Sequence, residues 1–345
     1  MKILIVGLGG IGQRHLRNLR TLLGDDVDIL AYRVRKLSQV ITPTLQVDAD
    51  RDVERDYHLR VFGDLDLALR EKPDIAFICN PSSLHVPVAL ACVRAGCDLF
   101  IEKPLSDGLA GLPELQTLVE KHARIVMVGY QLRFHPCLLR MQEIVRSGVL
   151  GNLLAVRAAV GEYLPGWHGY EDYRQMYAAR ADLGGGVILS QIHEFDYLYS
   201  LFGKAKDLFS IGGHWSDLEI DVEDVASTLM ECEFGERSLP VHLQQDYLQR
   251  PPQRQCEVIG DAGKAILDFH TLSVTLYGAE GNVADRLTCD PFDRNQLFID
   301  ELEHFLECVK TRSKPVVDLA EGIWSLKLAL AAKESIASGR VVELA

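Results

Sequence analysis

Over the first 130 positions, short apolar runs alternate with stretches in which apolar residues recur every three or four places. The runs Lys2–Val6, Asp28–Tyr32, Leu59–Phe62, Ile75–Cys79, Leu99–Ile101 and Ile125–Val128 predict strands. Between them, Ile11–Leu23, Leu65–Glu71, Leu84–Ala95 and Leu109–His122 predict helices. Leu16, Leu19 and Leu23 share one helical face and belong against a sheet. Strands that alternate with helices predict a parallel sheet covered on both faces. Residues 35–55 have weak periodicity and many charges, and read as an irregular insertion with a short helix.

The rhythm changes after Gly129. Leu138–Ser147 predicts a helix, Leu153–Val160 a strand, and Gly184–Phe202 a single helix behind three glycines. From Lys206 to Tyr277, alternating segments are separated by turn signals such as Phe234-Gly235 and Gly260-Asp-Ala-Gly263. That pattern predicts a large, mostly antiparallel sheet. Gln296–Thr311 and Leu319–Ser338 close the chain as helices, the second capped by Asp318. The fold class is therefore α/β. Residues 1–129 form a doubly wound parallel sheet, and residues 130–345 an α/β domain with an open sheet. The final helix packs back on the first domain.

Composition narrows the function classes. An apolar content of 48% and a charged content of 25% are those of a globular protein. A net charge of −13 argues against a broad nucleic-acid or anionic-membrane surface. No apolar run reaches the roughly 18 residues of a membrane span. The start is a strand rather than a signal peptide, so a cytoplasmic protein is expected. The eight cysteines (79, 92, 97, 137, 232, 256, 289 and 308) form no C-x-x-C and read as free thiols, with no metal site expected.

The chemistry begins at Gly7-Leu8-Gly9-Gly10-Ile11-Gly12, directly behind the first strand. This is G-x-G-x-x-G between strand and helix. Gly7 allows the tight turn, Gly9 the approach of a pyrophosphate, and Gly12 close helix–strand packing. The helix N-terminus then offers unpaired N–H groups to the phosphates. The second strand ends at Arg33, with Arg35 and Lys36 beyond it, where NAD-binding units usually place a carboxylate. Basic residues there favour the 2′-phosphate of NADP over NAD. Asn80-Pro81 and His85 follow the fourth strand, at an edge where ligands of such sheets bind. Glu102-Lys103-Pro104 follows the fifth, and Lys103 can donate to a substrate oxygen. Further on, Gly184-Gly-Gly leads to Ser190, His193 and, one turn later, Asp196 or Tyr197 near one face of a helix, where a histidine could relay a proton.

Together and in this order, these motifs resemble the Gfo/Idh/MocA (glucose–fructose oxidoreductase / inositol dehydrogenase) family across almost the whole chain. The resemblance implies a Rossmann domain joined to an open-sheet domain that forms homodimers or homotetramers. It implies NADP or NAD as cofactor and hydride transfer to or from a sugar, nucleotide-sugar or cyclitol carbon. The family's lysine maps to Lys103 and its histidine to His193, as the catalytic pair. The family often has an aspartate three or four residues before the histidine; Leu189 and Ser190 stand there, with Glu194 or Asp196 as substitutes. Gln131 and Arg133 occupy the place of an Asn-x-Arg motif and are expected at cofactor and substrate. Tyr163, Trp167, Tyr173 and Arg174 lie in a segment like that of relatives in surface-polysaccharide and amino-sugar biosynthesis. The aromatics would stack on a sugar, and Arg174 would hold a carboxylate or phosphate. An NAD-dependent glycosidase without net redox change and a non-catalytic NAD(P)-binding sensor remain as alternatives.

Overall fold

The computed structural model describes residues 1–345 except 35–38, 43, 45, 170 and 345. In chain order the first part holds β1 (Lys2–Val6), α1 (Gly10–Leu23), β2 (Asp28–Tyr32), β3 (Gln39–Ile41), β4 (Val47–Asp52) and α2 (Val53–Asp56). Next come β5 (Arg60–Phe62), α3 (Leu65–Arg70), β6 (Ile75–Ile78), α4 (His85–Ala95), β7 (Asp98–Glu102), α5 (Leu112–Lys121) and β8 (Val126–Gly129). Six of these strands form one parallel sheet in the order β5-β2-β1-β6-β7-β8. Its order reverses between β1 and β6, so the loops after Val6 and Ile78 flank a crevice at the carboxyl ends.

Both faces of this sheet are covered, which is why its strands are nearly unbroken apolar runs. On one side Ile3, Ile5, Phe77 and Phe100 pack with Leu16 and Leu19 of α1, and Leu23 lies against the same cluster. The other side buries Leu4, Ile78 and Ile101 with Ala89, Val93 and Leu115 from α4 and α5.

The second part holds α6 (Pro136–Ser147), β9 (Leu153–Gly161), α7 (Val187–Ser190), α8 (His193–Phe202), β10 (Ala205–Gly213), β11 (Val225–Phe234) and β12 (Arg237–Asp246). It continues with β13 (Gln253–Gly260), β14 (Gly263–Asp268), β15 (Ser273–Gly278), β16 (Val283–Thr288), α9 (Arg294–Thr311), α10 (Leu319–Ser338) and β17 (Val342–Glu343). Its nine strands run β16-β15-β14-β13-β9-β12-β11-β10-β17, antiparallel except for the β9–β12 pair. Burial alternates along them: Val156, Ala158 and Val160 are buried while Arg157 is exposed. The face opposite the helices carries exposed Ile211 and Leu229. Asp318 caps α10 by accepting Glu321 N–H at 2.9 Å.

Two elements depart from the sequence expectation. Gln39–Ile41 and Val47–Asp52 pair as antiparallel strands where an irregular insertion was expected, and Val53–Asp56 is the short helix expected there. β4 reads Val-Asp-Ala-Asp-Arg-Asp and is largely solvent-facing, so no apolar alternation marked it. The helix expected over 184–202 is broken into α7 and α8 at Gln191–Ile192.

The two sheets are tied by a buried ion pair. Arg133, in the turn after β8, grips Asp196 of α8 through Nε–Oδ2 at 2.6 Å and Nη2–Oδ1 at 2.9 Å. α9 also packs on the parallel sheet through Leu302 and Phe305.

Candidate active site

The glycine loop divides its work as local sterics require. Gly7 has φ +93°, and a Cβ there would meet Cys79 O at 2.9 Å. A Cβ on Gly12 would lie 2.0 Å from Gly7 O. A Cβ on Gly9 would meet no atom within 4 Å, so protein packing does not explain that glycine. No side chain caps α1, which leaves the N–H groups at Gly10 and Ile11 open to an anion. Gln13 steadies the loop: its amide donates to Leu8 O (3.2 Å) and Gln39 O (2.9 Å) and accepts Ile41 N–H (2.7 Å). These features fit a dinucleotide pyrophosphate.

Arg33 follows β2 as expected, but its guanidinium pairs with Glu54. Arg35 and Lys36 lie outside the described residues. Across the crevice, Asn80 Oδ1 is buried with no protein partner, an acceptor suited to a ligand N–H or O–H. Pro81 starts the turn Ser82–Leu84, and Ser82 Oγ donates to Leu183 O (3.1 Å), joining this edge to the segment before α7.

The sequence expectation for His85 and Glu102 is contact with the cofactor; the structure turns both inward. His85 is buried, with Nδ1 2.9 Å from Pro104 O and Nε2 2.7 Å from Asn80 O, and so clamps two loops together. Glu102 places Oε1 2.6 Å from His15 Nε2, while Oε2 accepts the Lys103 N–H at 3.2 Å. It therefore fixes the backbone of the lysine that follows.

Lys103, which precedes a cis Pro104, crosses to the second half and donates from Nζ to Ser190 O at 2.8 Å. The helix break makes this carbonyl available. In a continuous helix Ser190 O would accept Glu194 N–H. Here Glu194 N–H bonds to Gln191 O (3.4 Å) instead. His193 starts α8, buried, with Nδ1 lacking a protein partner and its ring edge-on to Tyr130 at 5.6 Å. Burial, then the charges of Lys103, Arg254 and Arg294, hold its pKa well below the usual imidazole value. Its ring is therefore neutral near pH 7. Ser190, three residues earlier, is also buried, with the Tyr247 hydroxyl facing its side chain.

Neither carboxylate expected to assist His193 is free to do so. Glu194 is held by Arg254 through Nε–Oε1 at 2.6 Å and Nη2–Oε2 at 2.9 Å. Asp196 is held by Arg133 and by Ser325 Oγ at 3.0 Å. The same pair bears on the expectation for Arg133: its side chain is 9% exposed and engaged by Asp196, which ties this turn to α8. Gln131 opens the buried turn containing Arg133.

The aromatic segment also divides. Trp167 packs edge-on against Tyr247 at 5.3 Å, with a buried Nε1–H lacking a protein partner. The Tyr163 ring carries the Arg250 guanidinium at 3.9 Å, so that face is covered by protein rather than open for sugar. Tyr173 accepts Glu219 N–H with its hydroxyl, and Arg174 pairs with Asp172 (2.7 Å) and Glu219 (2.9 Å). Arg174 lines a surface depression of about 450 Å³ with Arg180, His214 and Asp221, which includes neither Lys103 nor His193. Nearby carboxylates hold this arginine at the surface. The triple glycine serves loop packing: Cβ atoms at Gly185 and Gly186 would strike Tyr177 O and Glu223 Oε1.

Sequence reasoning missed His15, Arg254, Arg294 and Glu301. Glu301 on α9 is fully buried, and both its oxygens lack protein partners. Burial first, then Glu102 and Asp196, push its carboxyl well above the usual range, which keeps it neutral. None of the four sits in a glycine or proline motif, so only their placement marks them.

Fold and crevice together define a dinucleotide-binding oxidoreductase. Residues 1–130 match the oxidoreductase family with an NAD-binding Rossmann fold, and residues 138–266 match the GFO/IDH/MocA C-terminal domain. The chain belongs to that family. It is 25% identical to the myo-inositol 2-dehydrogenase of Thermotoga maritima, covering 100% of this chain and 98% of that protein. It is also 25% identical to the scyllo-inositol 2-dehydrogenase (NAD(+)) of Bacillus subtilis, over 99% and 95%. In fold it is similar to the WlbA dehydrogenase from Bordetella pertussis, solved in complex with NADH and UDP-GlcNAcA. The TM-score is 0.80 at 18% identity, with 100% of this chain and 99% of that one covered.

The loop sterics separate two alanine variants. Gly9→Ala should leave the melting temperature of the ligand-free protein unchanged yet weaken NADH binding at least tenfold in a fluorescence titration. Gly12→Ala should lower the melting temperature as well, because its methyl strikes the loop backbone. Equal melting losses in both would show that Gly9 serves packing.

Proposed function

We propose that this protein transfers a hydride between nicotinamide and a carbinol or keto carbon of a sugar, nucleotide sugar or cyclitol. The observation that carries this reading is the convergence of Lys103 with Ser190 and the adjacent His193, where the carboxyl edge of the parallel sheet meets α7 and α8. A bound nicotinamide would supply the hydride acceptor or donor. Gly7 through Gly12 would hold its pyrophosphate, and Asn80 Oδ1 would accept from it.

Lys103 Nζ would donate a hydrogen bond to the substrate oxygen and favour the alkoxide that develops there. His193, kept neutral by burial and by neighbouring cations, would accept the proton of that oxygen during oxidation and return it during reduction. The neutral ring makes proton acceptance its resting role. Lys103→Ala and His193→Ala should each lower kcat about 10²- to 10⁴-fold while NADH binding persists. Because the His193 pKa is depressed, its base form persists below the usual value of 6.5, and kcat/KM for oxidation should stay level through that pH. Wild-type turnover retained in Lys103→Ala, or an acid limb centred at or above 6.5, would refute these roles.

Among cofactors, NAD is the better fit. Arg33 alone would welcome a 2′-phosphate, but Glu54 on its guanidinium would set a carboxylate against that phosphate. Competitive titration decides this: NADH should bind more tightly than NADPH, and Glu54→Gln should narrow the gap. Tighter NADPH binding by the native protein overturns it.

We further propose a homodimer or homotetramer through the open face of the nine-stranded sheet, where Ile211 and Leu229 are exposed. Light scattering should return at least twice the chain mass of 38.5 kDa, and Leu229→Lys should reduce it. A native mass of one chain rejects the interface.

A further inference from the structure

All eight cysteines are free thiols, and Cys289 is the one that is not buried. Its Sγ lies 3.2 Å from Sγ of Cys137, a residue 152 positions earlier in the chain. Two thiols in contact contribute little to folding, since S–H is a weak donor and sulfur a weak acceptor. A disulfide bond is about 2.05 Å long, so a closure of little more than ~1 Å separates this contact from a covalent link. The other thiols lie out of solvent's reach; Cys97 Sγ, for instance, donates to Pro73 O at 3.2 Å inside the protein.

The pair sits where the chain passes between its two halves. Residues 130–136 lead from the end of β8 into α6, and Cys137 lies in the first turn of that helix. Residues 289–293 lead from the end of β16 back to α9, which packs on the parallel sheet. His135 caps α6 by accepting the Cys137 N–H at Nδ1 (3.1 Å), and its ring lies 4.9 Å from that of Phe292. The Phe134 ring meets His304 of α9 at 5.6 Å. Cys289 N–H is anchored on Leu272 O at 2.8 Å in the second half. Just past the passage, Asn295 accepts from Arg14 (3.3 Å) and donates to Asn18 (2.9 Å) of α1. The two passages thus run side by side, joined by ring and thiol contacts. Such contacts yield when the halves move, whereas a covalent bond does not. A crevice between two halves opens and closes through the segments that connect them.

We propose that Cys137 and Cys289 are a redox modification site: a hydroperoxide converts them to a reversible disulfide that clamps the two passages together and slows cofactor exchange. Cys289, the accessible partner, attacks the peroxide as its thiolate. An S–O bond forms, the O–O bond breaks, and the leaving oxygen takes up a proton as water, which leaves a sulfenic acid on Cys289. The Cys137 sulfur then displaces the sulfenic hydroxyl. The S–S bond forms, the S–O bond breaks, and the Cys137 proton departs with the hydroxyl as a second water. Two thiols lose two electrons and one peroxide becomes two waters. A dithiol reverses the link by exchange. Burial assigns the order: together with the neighbouring Cys289 it pushes the Cys137 thiol up to about 12, so Cys137 stays protonated and does not make the first attack.

Hydrogen peroxide added to the native protein, followed by peptide mapping without reductant, tests the site. A Cys137–Cys289 linked peptide should form before any other cysteine is oxidised, and dithiothreitol should remove it. The linked protein should melt at a higher temperature, because the bond closes a long loop in the unfolded chain. Stopped-flow fluorescence should show NADH leaving the linked protein at least about threefold more slowly than the reduced one. Cys289→Ser should lose both the linked peptide and the rate change. Cys137→Ser should stop at the Cys289 sulfenic acid, trapped by dimedone, with NADH release as in the reduced native protein. Failure of the link to form under excess peroxide, or earlier oxidation of another cysteine, rejects the site. A link that leaves NADH release unchanged rejects the clamp. Neither readout uses turnover, so the outcome stands apart from the proposed hydride transfer.

Discussion

The proposed reaction centre depends on one backbone carbonyl that its own helix does not use. Ser190 O would accept Glu194 N–H if α7 and α8 were continuous; the break at Gln191–Ile192 leaves it for Lys103 Nζ at 2.8 Å. That bond spans the two sheets, because Lys103 leaves the end of β7 and Ser190 ends α7. Glu102 braces it from behind by accepting the Lys103 N–H and meeting His15 of α1. Carbonyl, lysine and glutamate thus form a chain from the cofactor helix to His193.

Around that chain, carboxylates and arginines are matched by position. Arg254 takes Glu194, Arg133 takes Asp196, Arg174 takes Asp172 and Glu219, and Arg33 takes Glu54. A buried charge is costly unless it is paired in good geometry, and the bidentate Arg254–Glu194 and Arg133–Asp196 contacts meet that condition. The consequence reaches His193. Burial first, then the cations Lys103, Arg254 and Arg294, keep its ring neutral. Arg254, which holds Glu194 in place, thus also acts on the group proposed to move the proton.

The two walls of the crevice are built differently. On the parallel-sheet side, consecutive residues form the wall: a glycine turn, a helix start, and Asn80 at the end of β6. The other wall draws on α7 and α8, with Arg254 of β13 holding Glu194 some sixty residues away in the chain. Phosphate recognition by backbone N–H groups needs only a correct turn. Recognition of a particular substrate needs side chains gathered from several elements.

That contrast explains what could be read along the chain. Lys2–Val6 and Asp28–Tyr32 were legible to the residue, because a strand buried on both faces must be an apolar run. The glycine loop was legible because Gly7 and Gly12 answer steric demands made within a few residues or by the adjoining strand end. The β3–β4 pair was hidden, since β3 is only three residues long and β4 is polar and largely exposed, without apolar alternation. Arg133 and Arg174 looked like ligands in sequence because an arginine does not announce its partner; Asp196 lies 63 positions from the first and Glu219 lies 45 from the second. The break before His193 and Arg254 held on Glu194 likewise follow from contacts between distant segments. By itself, then, the sequence determined periodicity, turns and the cofactor cradle, which depend on neighbouring residues. Only the tertiary structure decided which charges meet, because Coulomb attraction and desolvation act across space without regard to distance along the chain.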